Sequence, residues 1–145
     1  MSGLGQKTRR SFYRYEDGAR IGKPDAEVEA IIDAERVRAG VTPRAFSDEQ
    51  IVRRYMAAMI NEGANIVHEG IAQRPLDIDA TLMHGFGFPR YRGGPMHYAD
   101  SIGLDTVLAD IREFAKEDPL FWRASPLIVD LVARGKNFAS LNQAA

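Results

Sequence analysis

The feature that most limits what this chain can fold into begins at Ser47. Ser47-Asp48-Glu49-Gln50 fits a capping box, in which the serine side chain accepts a helix-end N–H and Gln50 reaches back to the cap. Asp48 and Glu49 put negative charge where the helix dipole favours it. Behind them Ile51, Tyr55 and Met59 recur every fourth residue. Val52, Met56 and Ile60 run beside them, and Ala64 and Val67 extend that second stripe. Two adjoining apolar stripes call for protein on more than one side. The segment from Asp48 to Glu69, stopped by Gly70 and roughly 33 Å long at about 1.5 Å per residue, is therefore expected at the centre of a helical domain.

The flanking residues agree with that. Pro24 and Asp25 open a helical pattern with Val28, Ile31 and Ile32 on one face and Gly40 placed to stop it. Pro75 suits a first helical position ahead of Leu76, Ile78, Ala80, Leu82 and Met83. From Gly85 to Pro95, four glycines and two prolines in eleven residues exclude helix and predict a sharp inter-helix loop. A short helix is expected around Met96–Ser101. Leu104, Val107, Leu108, Ile111, Phe114 and Ala115 then mark an amphipathic helix closed by Asp118-Pro119. Ser125 and Pro126 read as cap and first turn of a last helix bearing Leu127, Ile128, Leu131 and Val132, with Gly135 after it. Residues 1–24 differ: Gly3, Gly5, Gly18, Gly22 and Pro24 punctuate them around Phe12-Tyr13-Arg14-Tyr15, which favours extended structure. No strand alternation follows, so the predicted fold class is all-α.

Bulk chemistry narrows the function. The 145 residues suit one domain that buries roughly two-thirds of its unfolded surface. With 19 Lys+Arg against 20 Asp+Glu and no basic run, the chain lacks a nucleic-acid footprint. No apolar stretch approaches the ~20 residues of a membrane span, and the opening Met1–Lys7 lacks a signal-peptide core. The absence of cysteine removes disulfides, thiolate metal sites and cysteine nucleophiles, and is compatible with a reducing compartment.

Candidate reactive groups are sparse. Gly3-Leu4-Gly5 and Gly85-Phe86-Gly87 contain GxG but lack the third glycine and the strand–helix setting of a dinucleotide fingerprint. Asp77 and Asp79 are two apart and point different ways on a helix. Glu62 and Glu69 share a face. Glu62, beside the apolar stripes, is either a carboxylate perturbed for function or, more economically, one paired with a cation or capping an N–H. His68, His84 and His97 show no zinc spacing, and no serine sits in a nucleophile elbow. Arg90 and Arg92 fit either an anion such as a CoA phosphate or, as the favoured reading, a structural role fixing the glycine-rich loop to carbonyls and carboxylates, for instance Asp79 or Asp100.

An ordered series of motifs carries a resemblance. Asn61-Glu62-Gly63-Ala64, Glu69-Gly70-Ile71-Ala72 and Asp77-Ile78-Asp79 come first. Gly85 through Pro95-Met96 and Ala99-Asp100-Ser101-Ile102-Gly103-Leu104 follow. From about Ser47 to Phe138 the chain resembles the C-terminal domain of 3-hydroxyacyl-CoA dehydrogenases. The likeness is strongest to the multifunctional enoyl-CoA hydratase/3-hydroxyacyl-CoA dehydrogenases of bacteria and peroxisomes, in which this domain occurs twice. Arg92-Gly93-Gly94-Pro95-Met96 is typical of the second copy.

That resemblance implies a helical fold of the 6-phosphogluconate dehydrogenase C-terminal-like type. It also implies a division of the chain: 1–24 as the tail of the preceding copy, 25–46 as helix and linker, 47–138 as the second copy, and 139–145 as a flexible tail. In 1–24, Arg9 and Ser11 stand where the family has glycines. The family's NAD-binding domain and catalytic His–Glu pair lie upstream, so no catalytic, cofactor or metal residue is expected here, with NAD belonging to the full-length enzyme. The first copy's active-site asparagine, in a Val-Asn-Arg motif, is replaced at the matching Val52-Arg53-Arg54 by Arg53, which cannot supply an amide's paired donor and acceptor. The implied role is a non-catalytic module of fatty-acid β-oxidation, packed on upstream dehydrogenase domains of the same polypeptide or on a second copy of itself around the acyl-CoA cleft. Glu62, Asp79, Arg90, Arg92, Gly93, Gly94 and Asp100 then become structural or interface residues. The implied location is the cytoplasm for a bacterial protein and the peroxisome for a eukaryotic one. The alternatives are a free-standing helical dimerisation protein, or a CoA-phosphate-binding module working through Arg90 and Arg92.

Overall fold

A computed structural model describes residues 8–16 and 19–142, which fall into two units, Met1–Ala45 and Phe46–Ala145. Expectations placed on residues 1–7, 17–18 and 143–145, including the first GxG, lie outside the described residues.

In the first unit, strands β1 (Tyr13–Arg14) and β2 (Lys23–Pro24) pair antiparallel, with Tyr13 opposite Pro24 and Arg14 opposite Lys23. Helix α1 (Ala26–Arg38) follows, capped by Asp25, whose carboxylate accepts from the Glu27 N–H at 3.1 Å. The same carboxylate accepts from Arg10 Nε at 2.7 Å, tying the segment before β1 to the helix start. The guanidinium beside it holds the Asp25 carboxyl below its ordinary range. Residues on both sides of the expected 24/25 division therefore form one unit. The amphipathic face of α1 is open: none of its residues is buried, and Ile31 and Ile32 remain 52% and 38% exposed.

The second unit is helical throughout. It runs α2 (Asp48–His68), α3 (Pro75–Gly85), a 3-10 turn (Arg90–Arg92), α4 (Pro95–Ile102), α5 (Leu104–Phe114), α6 (Pro126–Ala133) and a final 3-10 turn (Phe138–Leu141). The all-α class and the central long helix are as expected, since α2 packs against each of α3, α4, α5 and α6. Its capping box forms: Gln50 N–H donates to Ser47 Oγ at 3.2 Å, and Ser47 N–H donates to Gln50 Oε1 at 3.0 Å. Ile60, Met96, Ile111, Ile128, Leu131 and Phe138 are buried at the centre, each contributing about 1.5–3 kcal/mol. Gly63 lets α4 come close: a Cβ there would lie 2.8 Å from Met96 Sδ and 3.2 Å from Ile78 Cγ2.

Two expectations need correction. The two stripes of α2 are covered only from Met56 onward, and Ile51, Val52 and Tyr55 stay exposed; α5 meets these first turns through ion pairs such as Arg53 with Asp110 rather than by covering the apolar side chains. The domain also does not end at Phe138. Phe138 is buried, Phe138–Leu141 forms an ordered turn, and Asn142 Oδ1 accepts from the Leu76 N–H at 2.9 Å. Residues 139–142 are thus part of the fold rather than of a flexible tail.

Candidate functional site

Asp79 sits on α3, nearly fully buried, facing the start of α4. Its two oxygens accept from the Met96 N–H at 2.7 Å and the His97 N–H at 3.1 Å. These are helix-end donors with no intrahelical partner, and Gly94, the residue at the cap of α4, has no side chain to serve them. Gly94 is required twice over: its φ is +100°, which L side chains rarely adopt, and a Cβ would collide with the Asp79 carboxylate. Burial pushes the Asp79 carboxyl above its ordinary range, against the opposing pull of the two N–H donors. Asp77, two residues earlier, turns instead to Arg74, accepting from its N–H at 3.0 Å and its Nη2 at 2.8 Å.

Asp100, further along α4, repeats the device. Its oxygens accept from the Phe138 N–H at 2.9 Å and the Ala139 N–H at 2.8 Å, fastening the final turn. Gly93 closes the preceding 3-10 turn with φ +72°, its N–H reaching the Arg90 carbonyl at 3.1 Å.

Neither arginine pairs with Asp79 or Asp100, whose oxygens accept from backbone N–H groups. Arg92 lies over the Tyr98 ring at 4.9 Å and the Tyr91 ring at 5.5 Å. Arg90 is exposed and makes no ion pair or side-chain hydrogen bond among the described residues. Glu62 is likewise exposed and makes none, so the expected cation partner or cap is not there.

Sequence reasoning missed the polar anchor of the domain, Asn61. Buried on α2, it donates Nδ2 to the Arg123 carbonyl at 2.8 Å and accepts the Ser125 N–H on Oδ1 at 2.8 Å. Ser125 itself does not cap α6 through its side chain, as expected, and its buried Oγ has no partner. Arg53 forks onto Asp110 of α5, with Nε at 2.8 Å from Oδ2, and also reaches Glu113 at 3.1 Å. An ion pair between α2 and α5 thus stands at the position the resemblance assigns to an asparagine.

Between α2, α3 and the loop from α5 to α6 lies an open groove of about 1280 Å³. Met59, Ile66, Leu82 and Trp122 line it, and the exposed Ile71, Phe86, Leu120 and Phe121 extend its apolar walls. Among the described residues no three His, Asp or Glu side chains converge as a metal site requires.

In this helical unit the Asp79 and Asp100 carboxylates hold backbone N–H groups at the start of α4 and of the final turn. Comparison with known proteins identifies the family. The family model of the 3-hydroxyacyl-CoA dehydrogenase C-terminal domain matches residues 51–141, and the chain belongs to that family. It is 42% identical over 135 residues to the peroxisomal bifunctional enzyme of Danio rerio and 39% identical over 117 residues to that of Homo sapiens. Those alignments take in 91% and 80% of this chain but only 19% and 16% of the relatives. The glyoxysomal fatty acid beta-oxidation multifunctional protein MFP-a of Brassica napus is 33% identical over 90% of this chain and 18% of its own length. Among solved structures, (S)-3-hydroxybutyryl-CoA dehydrogenase from Ralstonia eutropha aligns with a TM-score of 0.56 and 30% identity, over 86% of this chain and 43% of that one. The chain therefore spans about a fifth of the curated relatives it matches. The dehydrogenase family suggests NAD for a full-length enzyme. Gly85-Phe86-Gly87 follows the end of α3 with no strand before it.

Proposed function

We propose that this chain is a non-catalytic C-terminal module of a fatty-acid β-oxidation enzyme of the enoyl-CoA hydratase/NAD-dependent 3-hydroxyacyl-CoA dehydrogenase kind. In this role it supports the packing of upstream domains around the acyl-CoA cleft. One observation carries the reading: Asp79, Asp100 and Asn61, the buried or half-buried polar residues of the family motifs, all bond backbone groups of their own unit. A general base needs a lone pair within reach of substrate, and these lone pairs face N–H groups inside the fold. Residues 1–24 are the closing tail of the preceding domain copy in this reading. The open stripe of Ile51, Val52 and Tyr55 is the face that meets a neighbouring domain, or a second copy when the chain is alone. The enzyme resides in the cytoplasm of a bacterium or the peroxisome of a eukaryote.

The test is direct. The purified chain, given NAD and a 3-hydroxyacyl-CoA, produces no NADH. Light scattering at high micromolar concentration shows a dimer, and changing Ile51 and Tyr55 to Glu returns it to one chain. NADH formation free of host enzyme would overturn the non-catalytic reading, and an unchanged mass in the double variant would overturn the packing face.

A further inference from the structure

The groove along the second half of α2 is separate from the Ile51–Tyr55 stripe, and its chemistry is uneven. Its volume of about 1280 Å³ exceeds the roughly 300–1,000 Å³ of small-molecule sites. Its outer walls are apolar and strongly exposed, with Ile71 at 73%, Phe86 at 77% and Leu120 at 88%. Large side chains held this open to water mark a surface built to be covered. Along the α2 wall stand Glu62 and Glu69, seven residues apart on one face, neither with an ion pair or side-chain hydrogen bond among the described residues. The C-terminal end of α2, where its dipole is negative, adds to their field. The third carboxylate, Asp77, is already paired with Arg74. Across the groove, Arg123 is the cation of the opposite wall.

We infer that this groove receives an amphipathic helix whose apolar stripe is edged with Lys or Arg on the side that meets α2. The apolar walls take the stripe, as grooves take amphipathic helices elsewhere. The two carboxylates select the basic edge, and Arg123 fixes the direction by favouring an acidic or polar residue on the other edge. An acyl-CoA fits this charge pattern poorly, because its phosphates would face Glu62 and Glu69. This deepens the packing role proposed above by naming a second face and its partner's chemistry, and it rests on that reading only in supposing that a neighbour exists.

Trp122, the single tryptophan of the chain, lines the groove and reports on it. The probes are a synthetic amphipathic helix of leucine stripe and lysine edge, and its twin with glutamate for lysine. Trp122 fluorescence, read at low and high salt, is expected to show the basic peptide binding about tenfold tighter than the acidic one. The preference should shrink in high salt and reverse in the Glu62→Lys, Glu69→Lys double variant. Equal binding of the twins, or binding of neither, overturns the inference. So does a Trp122 response to palmitoyl-CoA that competes with the basic peptide, or a chain dimer abolished by Phe121→Asp. Failure here would leave the NADH result and the Ile51/Tyr55 face untouched, so the two readings fail separately.

Discussion

Replacing Asp79 with Ala tests whether its carboxylate is an architectural part. The change orphans two buried N–H groups, those of Met96 and His97, which now donate at 2.7 and 3.1 Å. Each orphan costs about 1–3 kcal/mol. Part of that is offset because a buried carboxylate is itself costly, as the upward shift of its ionisation shows. The balance is a loss of about 3 kcal/mol, equivalent to ~15 °C in the melting temperature of a unit of about 100 residues. Asp79→Asn keeps one acceptor oxygen and loses about half as much. Urea titration followed by Trp122 fluorescence reads both variants within the affected unit, with far-ultraviolet circular dichroism confirming that each is folded at zero urea. An Asp79→Ala variant within about 0.5 kcal/mol of the parent, at unchanged urea dependence, would show that α4 does not need this cap.

Further outcomes follow from the same contacts. Asn61→Leu removes two buried hydrogen bonds and leaves the Arg123 carbonyl and Ser125 N–H unpaired; urea titration should show a loss of about 3 kcal/mol. Ser125→Ala deletes a buried hydroxyl without a partner and should be neutral or stabilise by up to about 1 kcal/mol, read as a higher thermal midpoint. Arg53→Gln breaks the pair with Asp110, but Arg53 is 44% exposed; a loss of about 1 kcal/mol that shrinks in 1 M salt is expected. Because the folded-state pKa of Asp79 is raised, the folded form binds its proton more tightly than the unfolded form does. Its stability contribution is therefore full below the ordinary carboxylate range and declines as pH rises through the raised value. Paired melts of the parent and Asp79→Asn across acid to neutral pH should show the gap between them narrowing as pH rises.

What could be read in the sequence was local. The Ser47–Gln50 box spans four residues, so its chemistry and its geometry coincide. The stripes of α2 and α5 and the breaks at Gly70 and Gly135 likewise depend only on neighbours along the chain. Asn61 depends on residues 62 and 64 positions away, and Arg53 on one 57 positions away; no spacing rule reaches that far. Ser125 and Pro126 do stand at the cap and first turn of α6, but the cap's side-chain bond is not made, and the bond the Ser125 N–H makes runs to the distant Asn61. The sequence likewise does not show which groups Asp79 and Asp100 accept from, since their backbone donors lie 17 to 39 positions away.

The short helix α4 shows what those aspartates hold in place. Eight residues are too few to hold a helix in water, where nucleation alone outweighs the gain from so few turns. Asp79 closes its first turn from α3, Gly94 yields the space that carboxylate occupies, and Asp100 on α4 then closes the last turn of the domain. Three segments separated in sequence are joined through two carboxylates and four backbone N–H groups. A carboxylate so placed is an acceptor with its oxygens already engaged, unsuited to exchanging protons with a substrate. Among the described residues Glu62, Glu69 and Arg90 are exposed charges with no ion pair or side-chain hydrogen bond. Those exposed charges, and the apolar groove beside the first two, offer a partner chemistry that the buried aspartates, turned to backbone N–H groups, do not.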